Sequence, residues 1–279
     1  MELLDGKKLR TEILAKIKSE VTLLSFQPIF CDILVGNDPS SAQYVKMKAK
    51  TAESVGIKFH NANFPTSITT GELVEEIKTL NKIKNICGII VQLPLPEHLD
   101  KRAILDAIDP HLDVDCLGTS ASAEFYSGLT AGGIGFPTAL ACMALLDSLN
   151  LNLKGKILVV LGQGELVGRP TAALLRYRGL TYLNISSKTE NKAYLLRQAD
   201  IVISGMGKGK HITGNMIKDG AVIIDAGTSE SEGGIVGDVD LESVKNIASH
   251  VSPVPGGVGP VTVAMLLNNV LNVATKLKQ

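Results

Sequence analysis

Three polar side chains on one predicted helix are placed to do chemistry together. Ser41, Tyr44 and Lys48 stand at positions i, i+3 and i+7 of the stretch SAQYVKMKAKTAESV, so they share a face, with Tyr44 beside Lys48. An amine next to a flat aromatic ring could bind a planar molecule and exchange a proton with it. A solvated basic helix is the alternative, although the flanking Lys46 and Lys50 point to other sides of the helix.

Two further polar positions lie in the same half of the chain. Gln92 closes the apolar run of CGIIVQLPLP, and ligands bind at the carboxyl ends of strands in α/β sheets. Asp113 and Asp115 alternate with apolar residues in DPHLDVDCLG, so both point to the same side if that segment is extended. Each alone is more often a loop-capping residue, but their co-occurrence with Lys48 favours a binding site.

A glycine-rich turn, VVLGQGELVGRP, lies just past the middle of the chain. Gly162, Gly164 and Gly168 stand between an apolar strand and a helix, with the third glycine one position late for G-x-G-x-x-G. Such a turn lets backbone amides approach a pyrophosphate, and the helix N-terminus favours an anion. The turn therefore predicts a nucleotide site, with an ordinary tight turn as the alternative.

The next strand bears on which nucleotide is bound. NAD-binding units usually carry an acidic residue roughly 20 positions after the turn, and TYLNISSKTE has no carboxylate at the end of its strand. Ser187 and Lys188 suit a 2′-phosphate, so NADP is the predicted cofactor, unless Lys188 is a solvated loop residue. The predicted cofactor site also includes Gln163, Gly207 and Thr228.

The order of elements that must position these residues predicts an α/β fold. Helical patterns alternate with apolar strands, as βαβ units with largely parallel sheets require. We expect an N-terminal α/β substrate domain (1–136 plus 258–279) and a Rossmann-like, doubly wound dinucleotide-binding domain (137–257), with a cleft between them. Weak periodicity predicts a long loop or linker over 119–138. The predicted strands are IFCDILVG, IKFHNANF, CGIIVQLP, KILVVLG, TYLNIS, ADIVISG and AVIIDAG.

Composition narrows the function classes. The 279 residues include 45% apolar residues and balance 28 basic against 28 acidic ones, which gives no electrostatic case for nucleic acid or an anionic membrane. The apolar runs fall short of the roughly 18 residues of a membrane span, and the N-terminal stretch resembles an amphipathic helix rather than a signal peptide. Four cysteines without a C-x-x-C pair and five scattered histidines predict reduced thiols, a cytoplasmic protein and no metal site.

The segments SAQYVKMKAK, GIIVQLPLP, DVDCL, VGRP, VGDV and SPVPGGVGPVT together resemble the bifunctional methylenetetrahydrofolate dehydrogenase/methenyltetrahydrofolate cyclohydrolase family. The resemblance covers nearly the whole chain. It implies oxidation of 5,10-methylenetetrahydrofolate with NAD(P), hydrolysis of the methenyl product to 10-formyltetrahydrofolate, and a homodimer. Lys48 matches the family's catalytic lysine, Tyr44 its ring-stacking tyrosine, Gln92 its supporting glutamine and Asp115 its pterin-binding aspartate.

Because the methenyl intermediate is cationic, we expect Lys48 to work largely as a neutral amine, which Gln92 can contact without adding a charge. Asp115 could accept hydrogen bonds from the pterin. The loop PGGVG matches one that closes over the folate. The predicted substrate contacts are Ser41, Tyr44, Val91, Leu93, Pro255, Gly256 and Gly257.

Three departures from the family pattern keep alternatives open. Gln163-Gly164 replaces a usual Arg-Ser pair, and a glutamine cannot supply the charge that would pair with a 2′-phosphate, so NAD is possible. Cys116 replaces a usual glycine, and FPTAL at 136–140 blurs the domain junction. A dehydrogenase without hydrolysis, or a nucleotide-sensing module without turnover, are the competing hypotheses.

Overall fold

The computed structural model describes residues 1–128, 133–231 and 233–277. The strands, in chain order, are β1 (Glu2–Leu3), β2 (Ile29–Val35), β3 (Lys58–Phe64), β4 (Ile86–Val91), β5 (Leu158–Leu161), β6 (Tyr182–Ile185), β7 (Ile201–Ser204), β8 (Val222–Asp225), β9 (Ser229–Ser231), β10 (Gly234–Val236) and β11 (His250–Val251). The helices are α1 (Gly6–Val21), α2 (Pro39–Ser54), α3 (Thr70–Leu80), α4 (Lys101–Asp106), α5 (Thr119–Ser127), α6 (Pro137–Ser148), α7 (Gly168–Tyr177), α8 (Lys192–Leu196), α9 (Leu241–Val244) and α10 (Val258–Leu277). A short 3₁₀ helix spans Gly214–Met216.

The chain forms two compact units, and each is discontinuous in sequence. One comprises Met1–Glu12 and Thr138–Thr262, and the other Ile13–Pro137 and Val263–Gln279. The expected division had placed residues 1–136 and 258–279 together. The first twelve residues instead belong with 138–262, because β1 pairs in parallel with β11.

The smaller sheet has the strand order β3-β2-β4, with all pairs parallel. β2 is central, and β4 is buried along its whole length. Apolar residues from α1, α2 and α10 pack with these strands, so the sheet has a covered core. Strands buried in this way read as continuous apolar runs, which is why IFCDILVG and CGIIVQLP predicted them correctly.

The larger sheet has the order β1-β11-β8-β7-β5-β6, and its strands are also parallel. β9 and β10 form a separate antiparallel ribbon. The strand order steps from β5 out to β6 and back to β7, as in doubly wound α/β sheets. The predicted α/β class with parallel sheets is confirmed.

The predicted linker over 119–138 is wrong in part. α5 occupies Thr119–Ser127 and α6 begins at Pro137, while residues 129–132 lie outside the described part of the chain. α5 is built mostly from small and hydroxylated residues, whose weak amphipathic pattern hid the helix. Phe125 on α5 packs edge-on against Phe136, so tertiary contacts secure an element that periodicity did not reveal.

Among the described residues, α10 alone has the length and composition to cross a membrane. Most of its apolar window is buried within the protein, as is usual for a core helix. Asn269 on this helix donates to the backbone carbonyls of Val114 and Gly135, which ties α10 to the smaller-sheet unit.

Candidate active site and cofactor site

Helix α2 has a capping aspartate at its start and a glycine after its end. The Asp38 side chain accepts the backbone N–H of Ser41 at 2.7 Å, and Pro39 occupies the first helical position. Gly56 follows the helix with a φ of +86°, a left-handed conformation that glycine adopts without strain. The cap fixes the register of the helix and therefore the direction of Lys48.

Lys48 lies on the buried face of α2. Val45 and Ala52 share that face, one turn before and after the lysine, and Lys48 itself is only 1% exposed. Lys48 and these apolar residues therefore share one buried face of the helix. Lys46 and Lys50 are exposed, as predicted from their positions.

The Lys48 ammonium nitrogen contacts two side chains from neighbouring strands. It donates a hydrogen bond to Gln92 Oε1 at 2.8 Å and lies 2.6 Å from Asp32 Oδ2. The Asp32 contact is an ion pair by distance, although neither carboxylate oxygen has a donor in good hydrogen-bond geometry among the described residues. Burial raises the pKa of Asp32, while the Lys48 cation opposes that rise.

Sequence reasoning missed Asp32. It sits in the middle of β2 and is fully buried, beside Asn61 of β3 and Ile90 of β4. A carboxylate inside an otherwise apolar strand was the available signal, because charged residues are almost never fully buried unless paired. The expectation of a neutral Lys48 did not include this counter-ion.

Tyr44 and Ser41 flank the lysine on the same helix. The Lys48 nitrogen lies 4.9 Å from the centre of the Tyr44 ring, within the range of a cation–π contact. Tyr44 is 40% exposed, so one part of its ring is open to a ligand. Burial, reinforced by Asp115 and Asp32, raises the pKa of the Tyr44 hydroxyl to about 12. Ser41 is buried one turn before Tyr44.

Gln92 is oriented by its own backbone neighbours. It follows β4 directly, and its backbone N–H donates to Ile33 O at 2.8 Å. Its side-chain Nε2 donates to Leu93 O at 2.9 Å, which leaves Oε1 to face Lys48. Val91 is buried and Leu93 half-buried, with a cis bond between Leu93 and Pro94.

The segment after α4 forms a turn rather than an extended strand. Asp113 is buried and accepts the backbone N–H of Gly118 at 2.7 Å, whereas Asp115 is half-buried. Burial raises the pKa of Asp113 to about 6 and that of Asp115 to about 7, and Asp113 adds to the second rise. Cys116 has a φ of +63°, so the replacement of glycine places a side chain in the left-handed region.

The glycine-rich turn has the backbone that the cofactor prediction requires. Gly162 has a φ of +93°, and a Cβ there would lie 2.7 Å from Gly205 O. A Cβ on Gly168 would overlap the Gly162 carbonyl, so the third glycine is needed for close packing of helix against strand. Gly164 has no such requirement, because a Cβ would meet only Gly205 O at 3.9 Å.

A cavity of about 240 Å³ opens beside this turn. Its lining includes the predicted residues Gly162, Gln163, Gly164 and Ser187. The predicted residues Gly168, Lys188, Gly207 and Thr228 do not line it, and Lys188 is exposed. Residues that sequence reasoning did not place there are Leu161, Ile185, Ser186, Lys192, Leu196, Gly205, Met206, Lys208, His211 and Met216.

Two polar side chains of the cavity lining, Gln163 and Lys192, are held by hydrogen bonds. Gln163 Nε2 donates to Asn184 Oδ1 at 3.1 Å, which ties the turn to β6. Lys192, at the start of α8, donates to the backbone carbonyl of Ser187 at 2.9 Å. Sequence reasoning missed Lys192 because this residue lies beyond the segment that follows β6. The polar side chains of Asn184, Ser187 and Lys192 fit a ribose or phosphate group.

A buried carboxylate holds the loop after β7 against the cavity. Asp238 Oδ2 accepts the Ser204 hydroxyl at 2.6 Å and the Met206 N–H at 2.7 Å, and Oδ1 accepts the Lys208 N–H at 2.7 Å. Gly207, in the same loop, has a φ of +66° and approaches the carbonyl of the exposed Thr228. Gly207 and Thr228 are therefore neighbours, although neither lines the cavity.

The predicted folate loop belongs to the larger-sheet unit. Pro255 follows a cis bond, Gly256 has a φ of +112°, and the Gly257 N–H donates to Pro253 O at 2.7 Å. Gly256 O accepts the backbone N–H of Gly6 at 3.0 Å, which secures the loop to the first turn of α1. A contact of Pro255, Gly256 and Gly257 with folate stays a prediction.

The fold and the two sites define a two-domain α/β protein. One domain has a nucleotide-binding sheet, and the other carries a buried lysine whose amine contacts polar side chains. Residues 4–115 match the family model "Tetrahydrofolate dehydrogenase/cyclohydrolase, catalytic domain", and residues 137–278 match the "NAD(P)-binding domain" model of the same name. The chain therefore belongs to the tetrahydrofolate dehydrogenase/cyclohydrolase family.

Individual relatives agree over the full length. The "Bifunctional protein FolD" of a Nitratiruptor species is 43% identical, with 100% of each chain covered. The crystal structure of the bifunctional enzyme FolD from Campylobacter jejuni is 39% identical, covers 99% of each chain and superposes with a TM-score of 0.94. The FolD of Trypanosoma brucei, complexed with NADP cofactor and inhibitor, is 35% identical, covers 99% of this chain and 97% of its own, and has a TM-score of 0.91.

Proposed function

We propose that this protein oxidises 5,10-methylenetetrahydrofolate to the methenyl form with NADP, or less effectively with NAD, and hydrolyses the methenyl form to 10-formyltetrahydrofolate. The buried Lys48, with its nitrogen 2.8 Å from Gln92 Oε1 and its charge next to the Tyr44 ring, carries the proposal. Family membership and full-length similarity to proteins named bifunctional FolD support both activities.

The residues around Lys48 fit a flat, cationic substrate. The half-exposed ring of Tyr44 offers a face for a planar ring system, and Asp115 offers carboxylate oxygens to ring N–H and amino groups. In the hydrolytic step Lys48, as the unprotonated amine, accepts a proton from water as the water oxygen bonds to the methenyl carbon and the C=N π pair moves to nitrogen. The N5–carbon bond of the resulting carbinolamine then breaks as its hydroxyl proton is lost and N5 takes up a proton, which leaves the formyl group on N10. Gln92 orients the amine during this transfer without adding charge.

The cofactor site fits NAD(P). The glycine backbone at 162 and 168 leaves room that a Cβ would fill, and the lining of the adjoining cavity includes polar side chains. Bound NAD(P) supplies the hydride acceptor for the oxidation. Lys192, Ser186 and Ser187 are the chain's own groups that favour a 2′-phosphate, and the Trypanosoma brucei relative supports NADP through the cofactor in its complex.

Stopped-flow absorbance of the methenyl species tests the proposal. The wild-type protein should oxidise methylenetetrahydrofolate with NADP and then consume the methenyl product faster than buffer does. Stoichiometric accumulation with decay at the buffer rate would identify a dehydrogenase without hydrolysis. Absence of turnover with either cofactor would identify a nucleotide-sensing module.

We also propose a cytoplasmic homodimer that supplies 10-formyltetrahydrofolate for purine biosynthesis. The four free, buried cysteines support a reducing compartment. Among the described residues, no cluster of histidine, cysteine or carboxylate side chains could hold a metal ion. Sedimentation equilibrium of the full chain tests the dimer, because a single species of about 29.6 kDa would contradict it.

A further inference from the structure

A buried ion pair lies behind the candidate catalytic amine. Asp32 is fully buried in the central strand β2, and its Oδ2 atom is 2.6 Å from Lys48 Nζ. Among the described residues neither Asp32 oxygen has a donor in hydrogen-bonding geometry. Lys48 is therefore the charge partner of this carboxylate within the part of the chain that the structure describes.

The other groups around the Lys48–Asp32 pair are uncharged or do not contact the amine directly. Gln92 approaches from the end of β4 and carries no charge, and Tyr44 on α2 is neutral because its pKa is raised to about 12. Cys31, next to Asp32 on β2, is a neutral thiol because burial raises its pKa to about 12. Asp115 approaches from the turn after α4, and Lys48 lowers the pKa of Asp115 against the stronger effect of burial.

The ion pair has a consequence for the charge of the amine. An opposite charge within about 4 to 6 Å favours the charged form of a group by about one to three pH units, and Asp32 is well inside that distance. Without the carboxylate, burial alone would favour the neutral amine. The hydrolytic step needs the neutral amine as proton acceptor, so the carboxylate opposes the step that Lys48 serves.

We propose that Asp32 is a positioning residue that holds Lys48 as an ammonium and thereby restrains hydrolysis relative to oxidation. The inference rests on the proposed function and adds a control of the balance between its two activities. At neutral pH an ammonium at Lys48 cannot accept a proton from water. Part of the methenyl product therefore dissociates before it is hydrolysed. Hydrolysis should therefore increase with pH, because the step needs the unprotonated amine.

The pH profile of hydrolysis in Asp32→Asn tests the inference. Asparagine has nearly the same shape but no charge, so the acid limb of the profile should move to lower pH by about one unit or more. At a pH one unit below the wild-type midpoint, hydrolysis relative to each protein's own plateau should be about 5- to 10-fold faster in the variant than in wild type. The ratio of hydrolysis to oxidation at neutral pH should rise. Both rates are measured on the full chain, with the buffer rate of methenyl hydrolysis subtracted.

Asp109→Asn is the matched control. Its carboxylate caps the backbone N–H of His111, a role that asparagine can keep, and Asp109 is not among the groups around Lys48. Its profile should coincide with that of wild type. If Asp32→Asn does not fold, Asp32→Val replaces it, because a β-branched residue suits a buried strand. The expected shift is the same.

Each result decides the inference. An unchanged acid limb, with rates reduced equally at every pH, would show that Asp32 has only a structural role and would overturn it. A limb that moves to higher pH would overturn it also, since Asp32 would then be accepting the Lys48 proton. If the wild-type protein does not hydrolyse the methenyl form at any pH, the proposed function fails, and that result is distinct from both.

Discussion

Gln92 Oε1 accepts a hydrogen bond from Lys48 Nζ at 2.8 Å, while Gln92 Nε2 donates to Leu93 O at 2.9 Å. The second bond fixes which end of the amide faces the amine. Gln92 thus orients Lys48 through an uncharged oxygen. Asp32, on the neighbouring strand, is the group that favours the charged form of the amine.

Gln92→Glu should slow hydrolysis by about tenfold or more at neutral pH, because a second carboxylate would hold the proton on Lys48. Oxidation should change less, so the ratio of the two rates is the measurement. Gln92→Met removes the hydrogen bonds without adding a charge and serves as control. Equal losses in the two variants would show that the hydrogen bond matters and the charge does not.

Lys48→Met should abolish hydrolysis and leave the affinity for NADP, measured by calorimetry, nearly unchanged. Removal of one partner of a buried ion pair costs about 3 to 5 kcal/mol of stability, so thermal unfolding must accompany the assay. The double variant Asp32→Val/Lys48→Met removes both charges and should regain much of that stability. A loss of NADP affinity in the folded single variant would contradict the assignment of Lys48 to the folate site.

Lys192→Ala should lower kcat/KM with NADP by about 10- to 100-fold relative to NAD, as expected for a lost charge-assisted contact with phosphate. Lys188→Ala, the variant that the sequence alone favours, should have a smaller effect because Lys188 is exposed and outside the cavity lining. Lys154→Ala, in the turn before β5, controls for overall charge. Equal losses with both cofactors in Lys192→Ala would remove it from the phosphate site.

Asp113→Asn should change how stability depends on pH. Burial raises the pKa of Asp113 to about 6, so the folded state holds its proton more tightly than the unfolded state. The contribution of this proton to stability is therefore complete below about pH 4 and is lost as the pH rises through about 6. Denaturant unfolding should show the variant gaining about 2 to 3 kcal/mol on wild type between pH 4 and pH 7. A constant difference across that range would refute the prediction.

The sequence predicts what depends on local patterns and misses what depends on distant pairing. The strand patterns of the sequence predicted β2 to β8, and Asp38 and Gly56 are residue types that start and stop a helix such as α2. β1 and β11 are two residues long and pair across most of the chain, so no local pattern marks them. Cys116 adopts a left-handed φ that its residue type does not favour, and this turn replaced the expected extended segment.

The candidate site divides in the same way, between residues that local patterns predict and residues that depend on tertiary placement. Lys48, Tyr44 and Gln92 come together as helix periodicity and strand ends predict. A prediction of Asp32 would have required knowledge of which residue of β2 faces α2. A prediction of Lys192 would have required the path of the chain after β6. Both depend on tertiary placement, although a charge within an apolar strand is a signal that could be read in advance.

The chain crosses between its compact units three times, after residues 12, 137 and 262. No single cut therefore separates a complete nucleotide-binding sheet from a complete lysine-bearing one. A truncation that keeps 138–262 alone loses β1 at the sheet edge, and one that ends at 137 loses α10 from the core of the other unit. Exchange of one unit between two relatives would need three junctions that match. The two activities are therefore more simply inherited together, in one chain.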